Sequence, residues 1–255
     1  MDLIEINPPV IAHRGASAYA PENTFAAFLK AKELGARWLE FDVMLAACGE
    51  VVVIHDETLN RTTNQYGFVD QYTYRDLQTL DAGSWFDPLF SAEIIPTLEK
   101  TIDFLYRHQL AANIEIKASL GQEDITAKKV VELIRQYWRK EMTPPLISSF
   151  SLNVLQAVRR HSSASALGFL MDEWRVEWKT LADSLNCISI HCNETILTPE
   201  RIKKMKSTGR LILSYTVNTP ERARELFSSG VDAVFTDCPD KILNSLTIGG
   251  KNDEL

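Results

Sequence analysis

The sequence predicts an α/β fold, a TIM (β/α)8 barrel with a small cap subdomain inserted after its second strand. Three observations lead there. Short apolar, β-branched runs alternate with amphipathic helical stretches almost from end to end, which is the pattern of βα units around a parallel sheet. Eight such runs can be placed along 255 residues, the length expected of one barrel rather than of two domains. A single stretch, 56–96, breaks the alternation.

In chain order the strands are expected at Pro9 to His13, Trp38 to Asp42, Ala112 to Lys117, Leu146 to Phe150, Ala166 to Leu170, Cys187 to His191, Leu211 to Val217 and Ala233 to Asp237. Helices between them carry apolar residues at i, i+3 and i+4, such as Phe25, Phe28 and Leu29 in the first and Val130, Val131, Ile134, Tyr137 and Trp138 in another. Val51 to Ile54 is a ninth run. Cys48-Gly49-Glu50 before it reads as a tight turn, which makes it the return arm of a β-hairpin above the barrel mouth. Residues 56–96 hold seven aromatics, among them Tyr66, Phe68, Tyr72, Trp85 and Phe86, with many turn residues and no long helical period. A structureless loop of that length is rare in a compact domain, so a cap with its own aromatic cluster is expected over the active-site end. The whole chain, 1–255, reads as one domain.

Composition is that of a globular protein, with 45% hydrophobic and 24% charged residues. A net charge of -7 argues against a broad nucleic-acid or anionic-membrane surface. Cys48, Cys187, Cys192 and Cys238 form no C-x-x-C pair, which favours reduced thiols over a disulfide framework or structural zinc. The first residues lack a signal-peptide pattern and no apolar run is long enough to span a bilayer, so a cytoplasmic protein without stable membrane insertion is expected. The final Asn-Asp-Glu-Leu reads as a frayed tail rather than a retrieval signal.

Function is written at the strand ends. Glu40-Phe41-Asp42 and Glu115-Ile116-Lys117 place charged groups at i and i+2 inside apolar strands, and such residues share a face. With Leu39, Phe41, Ile114 and Ile116 turned to the helices, Glu40, Asp42, Glu115 and Lys117 point into the barrel at its carboxyl end, where barrel enzymes build their sites. Three clustered carboxylates repel one another without a cation between them, and an all-oxygen set suits one hard divalent ion, Mg2+ or Ca2+. The plainer alternative is a set of buried salt bridges through Lys117.

His13-Arg14-Gly15 ends the first strand, and His55 ends the hairpin arm. Two imidazoles on opposite sides of a phosphorus suit acid/base cleavage of a diester. Arg14 and Lys117 are the expected phosphate-binding cations. His108 and His161 read as surface residues, while His191 is divided between a pocket-lining role and a plain core role.

These blocks resemble the glycerophosphodiester phosphodiesterase family over nearly the whole chain. His13-Arg14-Gly15 with Pro21-Glu22-Asn23-Thr24 is similar to the family's opening signature. Trp38 to Val43, Val53 to Leu59 and Arg61 to Asn64 are similar to its second block. Gly83 to Phe86 and Ile95 to Leu98 resemble its insertion markers, and Asn113 to Lys117 with Ser148 to Ser151 complete the match. The resemblance implies a capped TIM barrel, a metal on Glu40, Asp42 and Glu115, and His13 and His55 as the acid/base pair. It also implies a small-molecule glycerophosphodiester substrate, such as glycerophosphocholine or glycerophosphoethanolamine, cleaved to sn-glycerol 3-phosphate and an alcohol. Ala46-Ala47-Cys48-Gly49-Glu50, Ala118 and Tyr215 depart from the family's usual residues, the last two at positions that could alter headgroup preference.

His13 is assigned as base and His55 as acid, although the sequence does not fix the order. Nor does it choose between water and the substrate's own 2-hydroxyl as attacker. The sequence does not give the oligomeric state, and a homodimer is possible. Competing readings are a phospholipase-C-like or sphingomyelinase-D-like enzyme acting on intact lipids, and a non-catalytic phosphodiester-binding barrel.

Overall fold

A computed structural model describes residues 4–249; the Asn252 to Leu255 tail lies outside them. Eight parallel strands close a barrel: β1 (Val10–His13), β2 (Trp38–Leu45), β4 (Ala111–Ile116), β5 (Leu146–Ser149), β6 (Ala166–Met171), β7 (Ser189–Asn193), β8 (Leu211–Tyr215) and β9 (Ala233–Thr236). Closure comes from β1, which pairs in parallel with both β2 and β9. β3 (Val51–Val53) folds back antiparallel on the upper half of β2, with Val43 opposite Val53. The expected strands are all present, with shifted ends: β2 runs three residues further because β3 gives it a second partner, and β7 lies two residues later.

Helices α1 (Phe25–Glu33), α3 (Leu98–His108), α4 (Glu123–Tyr137), α5 (Leu152–His161), α6 (Trp178–Ser184), α7 (Pro199–Lys206), α8 (Pro220–Ser228) and α9 (Pro239–Gly249) follow or precede these strands as an outer ring, and α2 (Tyr74–Leu77) is a single turn in the cap. Several starts are set by hydroxyl caps. Thr97 accepts from the Lys100 amide and Ser151 from Val154, satisfying donors that the first helical turn leaves unpaired. In α1 the core face is Ala27, Phe28 and Ala31, whereas Leu29 is 42% exposed, one step off the stripe the sequence suggested.

Strand alternation sorts the interior into layers. Leu39, Phe41, Val43, Ile114 and Ile116 pack outward against the helices in the largest apolar cluster. Ile11, Trp38, Leu146, Leu213 and Phe235 plug the lower barrel. The next inward positions turn polar: Glu40, Asn113, Ser148 and His191 are all buried. Apolar burial fills the bottom and outside of the barrel, and the top is left to chemistry.

The segment 56–96 joins the hairpin in a third cluster of Met44, Val52, Ile54, Leu59, Val69, Leu77, Ala82 and Ile95. Its centre is aliphatic rather than aromatic. Tyr66, Phe68, Trp85 and Phe86 lie exposed at its surface, with Trp85, Phe86 and Phe90 in edge-to-face contact. No helix among the described residues is long and apolar enough to cross a membrane, and all four cysteines are free.

Candidate active site

β2 and β4 are neighbours in parallel register, with Asp42 level with Glu115. Because residues two apart share a face, Glu40 and Asp42 join Glu115 inside the barrel, and ligand oxygens of the three lie within 4.8 Å of one another. Glu40 and Asp42 are 2% and 1% exposed. Burial and the charges of Asp42 and Glu115 push the Glu40 carboxyl well above its ordinary range. Burial raises Glu115 too, with Asp42 adding to it and Lys117 opposing. For Asp42 burial acts upward, but Lys117, Arg14 and His55 together with the Asn23 amide outweigh it, leaving the carboxyl lowered.

The β1 loop grips this cluster from above. The Arg14 backbone N–H donates to Glu40 Oε2 at 2.9 Å, and Asn23 Nδ2 donates to Asp42 Oδ2 at 2.9 Å. Gly15 makes the tight path possible: its φ is +83°, and a Cβ there would lie 2.6 Å from the Ala27 carbonyl carbon. The Lys117 Nζ sits 2.7 Å from Glu115 Oε1 and 3.6 Å from Asp42 Oδ1. Arg14 donates to Glu22 at 2.8 Å and lies 3.4 Å from Asp42. Thus the two expected phosphate cations face the acids, and the salt-bridge alternative describes part of what they do.

The charge balance does not satisfy the cluster. Glu40 Oε1 is buried with no hydrogen-bond partner among the described residues, an arrangement that costs free energy for a carboxylate. An orphaned oxygen among three converging carboxylates fits a hard divalent cation.

Each flanking imidazole is held by a carboxylate that sequence reasoning did not assign. His13 Nδ1 lies 2.7 Å from Asp237 Oδ1, whose other oxygen accepts from Asn218 Nδ2 at 2.7 Å. Burial works upward on Asp237, but His13, Asn218 and Ser17 bring it down to about 2. An ionised Asp237 favours the proton on His13 Nδ1, which leaves Nε2, 4.0 Å from Glu40 Oε2, as the nitrogen on the side of the acids. His55 Nδ1 lies 2.6 Å from Asp56 Oδ1. Arg61 forks onto both Asp56 and Glu22 at 2.7–2.9 Å, and its hydrogen bonds drive the Asp56 carboxyl far down. Burial, with Lys117 and Arg14 nearby, lowers the His55 imidazole against the pull of Asp42 and Asp56.

His13, Arg14, Glu40, His55, Glu115 and Lys117 line one cavity of about 320 Å3, closed on its far side by Phe150, Leu170, His191, Tyr215 and Phe235. His108 and His161 sit elsewhere, against Phe104 and Asp124. A larger hollow of about 960 Å3 lies at the opposite barrel end around Trp38 and Ala111, away from the acidic cluster.

Residues 13–241 match the model of the Glycerophosphoryl diester phosphodiesterase family. A glycerophosphodiester phosphodiesterase of Caldanaerobacter subterraneus subsp. tengcongensis is 36% identical, covering 94% of this chain and 98% of its own. One of Bacillus subtilis is 31% identical over 90% and 83%. An Oleispira antarctica phosphodiesterase, solved in complex with the product sn-glycerol-3-phosphate, superposes with a TM-score of 0.92 at 34% identity, covering 94% of this chain and 97% of that one.

Proposed function

Because this chain belongs to the glycerophosphoryl diester phosphodiesterase family, we propose that it hydrolyses glycerophosphodiesters to sn-glycerol 3-phosphate and an alcohol, with His13 and His55 as acid/base pair and a divalent cation on Glu40, Asp42 and Glu115. The product named for the Oleispira antarctica neighbour supports the substrate class. The observation that carries the reading is the acid cluster within 4.8 Å, with its orphaned Glu40 oxygen, set between two imidazoles that each lean on a carboxylate.

A bound Mg2+ or Ca2+ would supply charge for the non-bridging phosphoryl oxygens and acidify the attacking hydroxyl. The chain's own residues do the rest. His13, with its Nδ1 proton held by Asp237, presents the lone pair of Nε2 to the attacking hydroxyl and takes its proton as the bond to phosphorus forms. His55, on the hairpin arm across the cavity, delivers a proton to the departing alkoxide oxygen; burial, Lys117 and Arg14 work against its charged form, and the hydrogen bond to Asp56 works for it. Arg14 and Lys117 share that cavity wall, where they stabilise charge on the phosphoryl oxygens. The attacker is water or the glycerol 2-hydroxyl, the second passing through a cyclic phosphate.

The test is release of sn-glycerol 3-phosphate from glycerophosphocholine with Mg2+ or Ca2+. Turnover that disappears with EDTA and in His13→Ala supports the reading. Hydrolysis confined to intact-lipid vesicles, or binding without turnover, replaces it with one of its competitors.

A further inference from the structure

The cavity has two unlike sides. One holds the acids, histidines and cations. The other runs down inside β4 to β9, bounded by Asn113, Leu170, His191 and Phe235. Tyr215 Oη, at the end of β8, has no partner among the described residues, and further inside the same is true of two buried polar atoms, Asn113 Oδ1 and His191 Nδ1. Both residues are essentially inaccessible, at 1% and 0% exposed, and each spends its other polar atom on the protein. Asn113 Nδ2 donates to Ser148 Oγ at 2.9 Å, and His191 Nε2 lies 2.9 Å from Ser189 Oγ. Unpaired buried polar atoms are costly, and here two belong to residues that line one cavity.

The backbone is arranged to allow this. On β6, a Cβ at Gly168 would come within 2.4 Å of His191 Nε2 and 2.9 Å of Ser189 Oγ, so only glycine leaves room for the ring to lie across that strand. Phe235 supports the ring from the next side, 5.2 Å between centroids.

We infer that Asn113 and His191 form a hydroxyl-recognition subsite that draws the diol arm of the substrate into the barrel and leaves the variable alcohol arm at the rim. This rests on the proposed reading of the site and deepens it. A diol carries the donors and acceptors these atoms lack, on a short apolar chain that suits Leu170 and Phe235. Burial holds His191 neutral, with its pKa lowered to about 3, so these two side chains offer hydrogen bonds without a charge to attract an ammonium headgroup. Such a site selects for the common diol and tolerates many leaving alcohols.

Titration calorimetry with Mg2+ present separates the idea from the catalytic reading, because it requires no turnover. sn-Glycerol 3-phosphate and propyl phosphate share the phosphate and differ in the two hydroxyls. Wild type is expected to bind the diol more tightly. Asn113→Leu and His191→Phe should each weaken it about tenfold, the worth of one lost hydrogen bond, with propyl phosphate unchanged. An unaltered ratio of the two affinities in both variants, or an equal loss for both ligands, overturns the subsite. Should either variant fold poorly, the wild-type ring nitrogens of His191 provide the readout: Nδ1 should shift in its 15N resonance with the diol and not with propyl phosphate, and an identical response to both ligands overturns it. Diol selectivity in a protein that fails to hydrolyse glycerophosphocholine would remove the catalytic reading alone.

Discussion

Asp237→Asn isolates the part of the site that holds His13. The carboxylate accepts from His13 Nδ1 at 2.7 Å and is held in turn by Ser17 and Asn218. Asparagine keeps the size and can keep the neighbouring contacts, but its amide can donate to Nδ1. That favours the tautomer with the proton on Nε2, the nitrogen that must be free to act as base. Losing general-base assistance is worth roughly 10²–10⁴ in kcat, or about 3–5 kcal/mol of barrier. The side-chain hydrogen bonds of Asp237 go to His13, Ser17 and Asn218 rather than to Glu40, Asp42 or Glu115, so cation affinity and KM for glycerophosphocholine should move little. The assay is coupled detection of released glycerol 3-phosphate under saturating Mg2+, with thermal unfolding as the folding control. A folded variant with kcat within threefold of wild type would refute the positioning of His13 by Asp237.

His55→Gln should lower kcat by about 10²–10⁴ while the fold persists, read by the same coupled assay; a near-normal rate removes the acid role. Gly15→Ala forces a side chain into a left-handed position and against the Ala27 backbone, and should cost about 2–4 kcal/mol, seen as a fall in Tm of roughly 4–16 °C. His191, neutral with a folded pKa of about 3, titrates in the unfolded chain near 6.5, so the unfolded state binds the extra proton between those values. Stability from this group is therefore full above about pH 6.5 and declines as pH falls toward 3, by up to roughly 5 kcal/mol. Urea unfolding at several pH values should show that slope in wild type and a shallower one in His191→Phe.

Local periodicity is the part of the fold and site that was legible in the sequence. The i, i+2 placement of Glu40 and Asp42, and of Glu115 and Lys117, sets their common face without knowledge of any other strand. The family blocks extend over the same residues. The hidden part depends on closure of the barrel. Asp237 lies 224 residues from His13, and they meet because β9 pairs with β1. Its signal was a carboxylate just past the last strand, which barrel closure turns into a neighbour of the first. Asn113 also occupies an inward position, but an uncharged side chain inside a strand does not announce itself; His191 stood between pocket lining and core in the sequence, and its ring lines the cavity. The cap misled in a different way. Its aromatics suggested a core, yet the aliphatic residues Leu59, Val69, Leu77 and Ile95 fill that place because they continue the apolar surface of the hairpin.

Hydrolysis as proposed depends on cation binding by Glu40, Asp42 and Glu115. Calorimetric titration of Mg2+ or Ca2+ into metal-stripped protein, with Glu115→Gln beside wild type, tests it most directly. One ion per chain, a loss of affinity of tenfold or more in the variant, and glycerophosphocholine turnover that tracks occupancy is the predicted result. Undiminished turnover in EDTA, or equal cation affinity in both proteins, would contradict it.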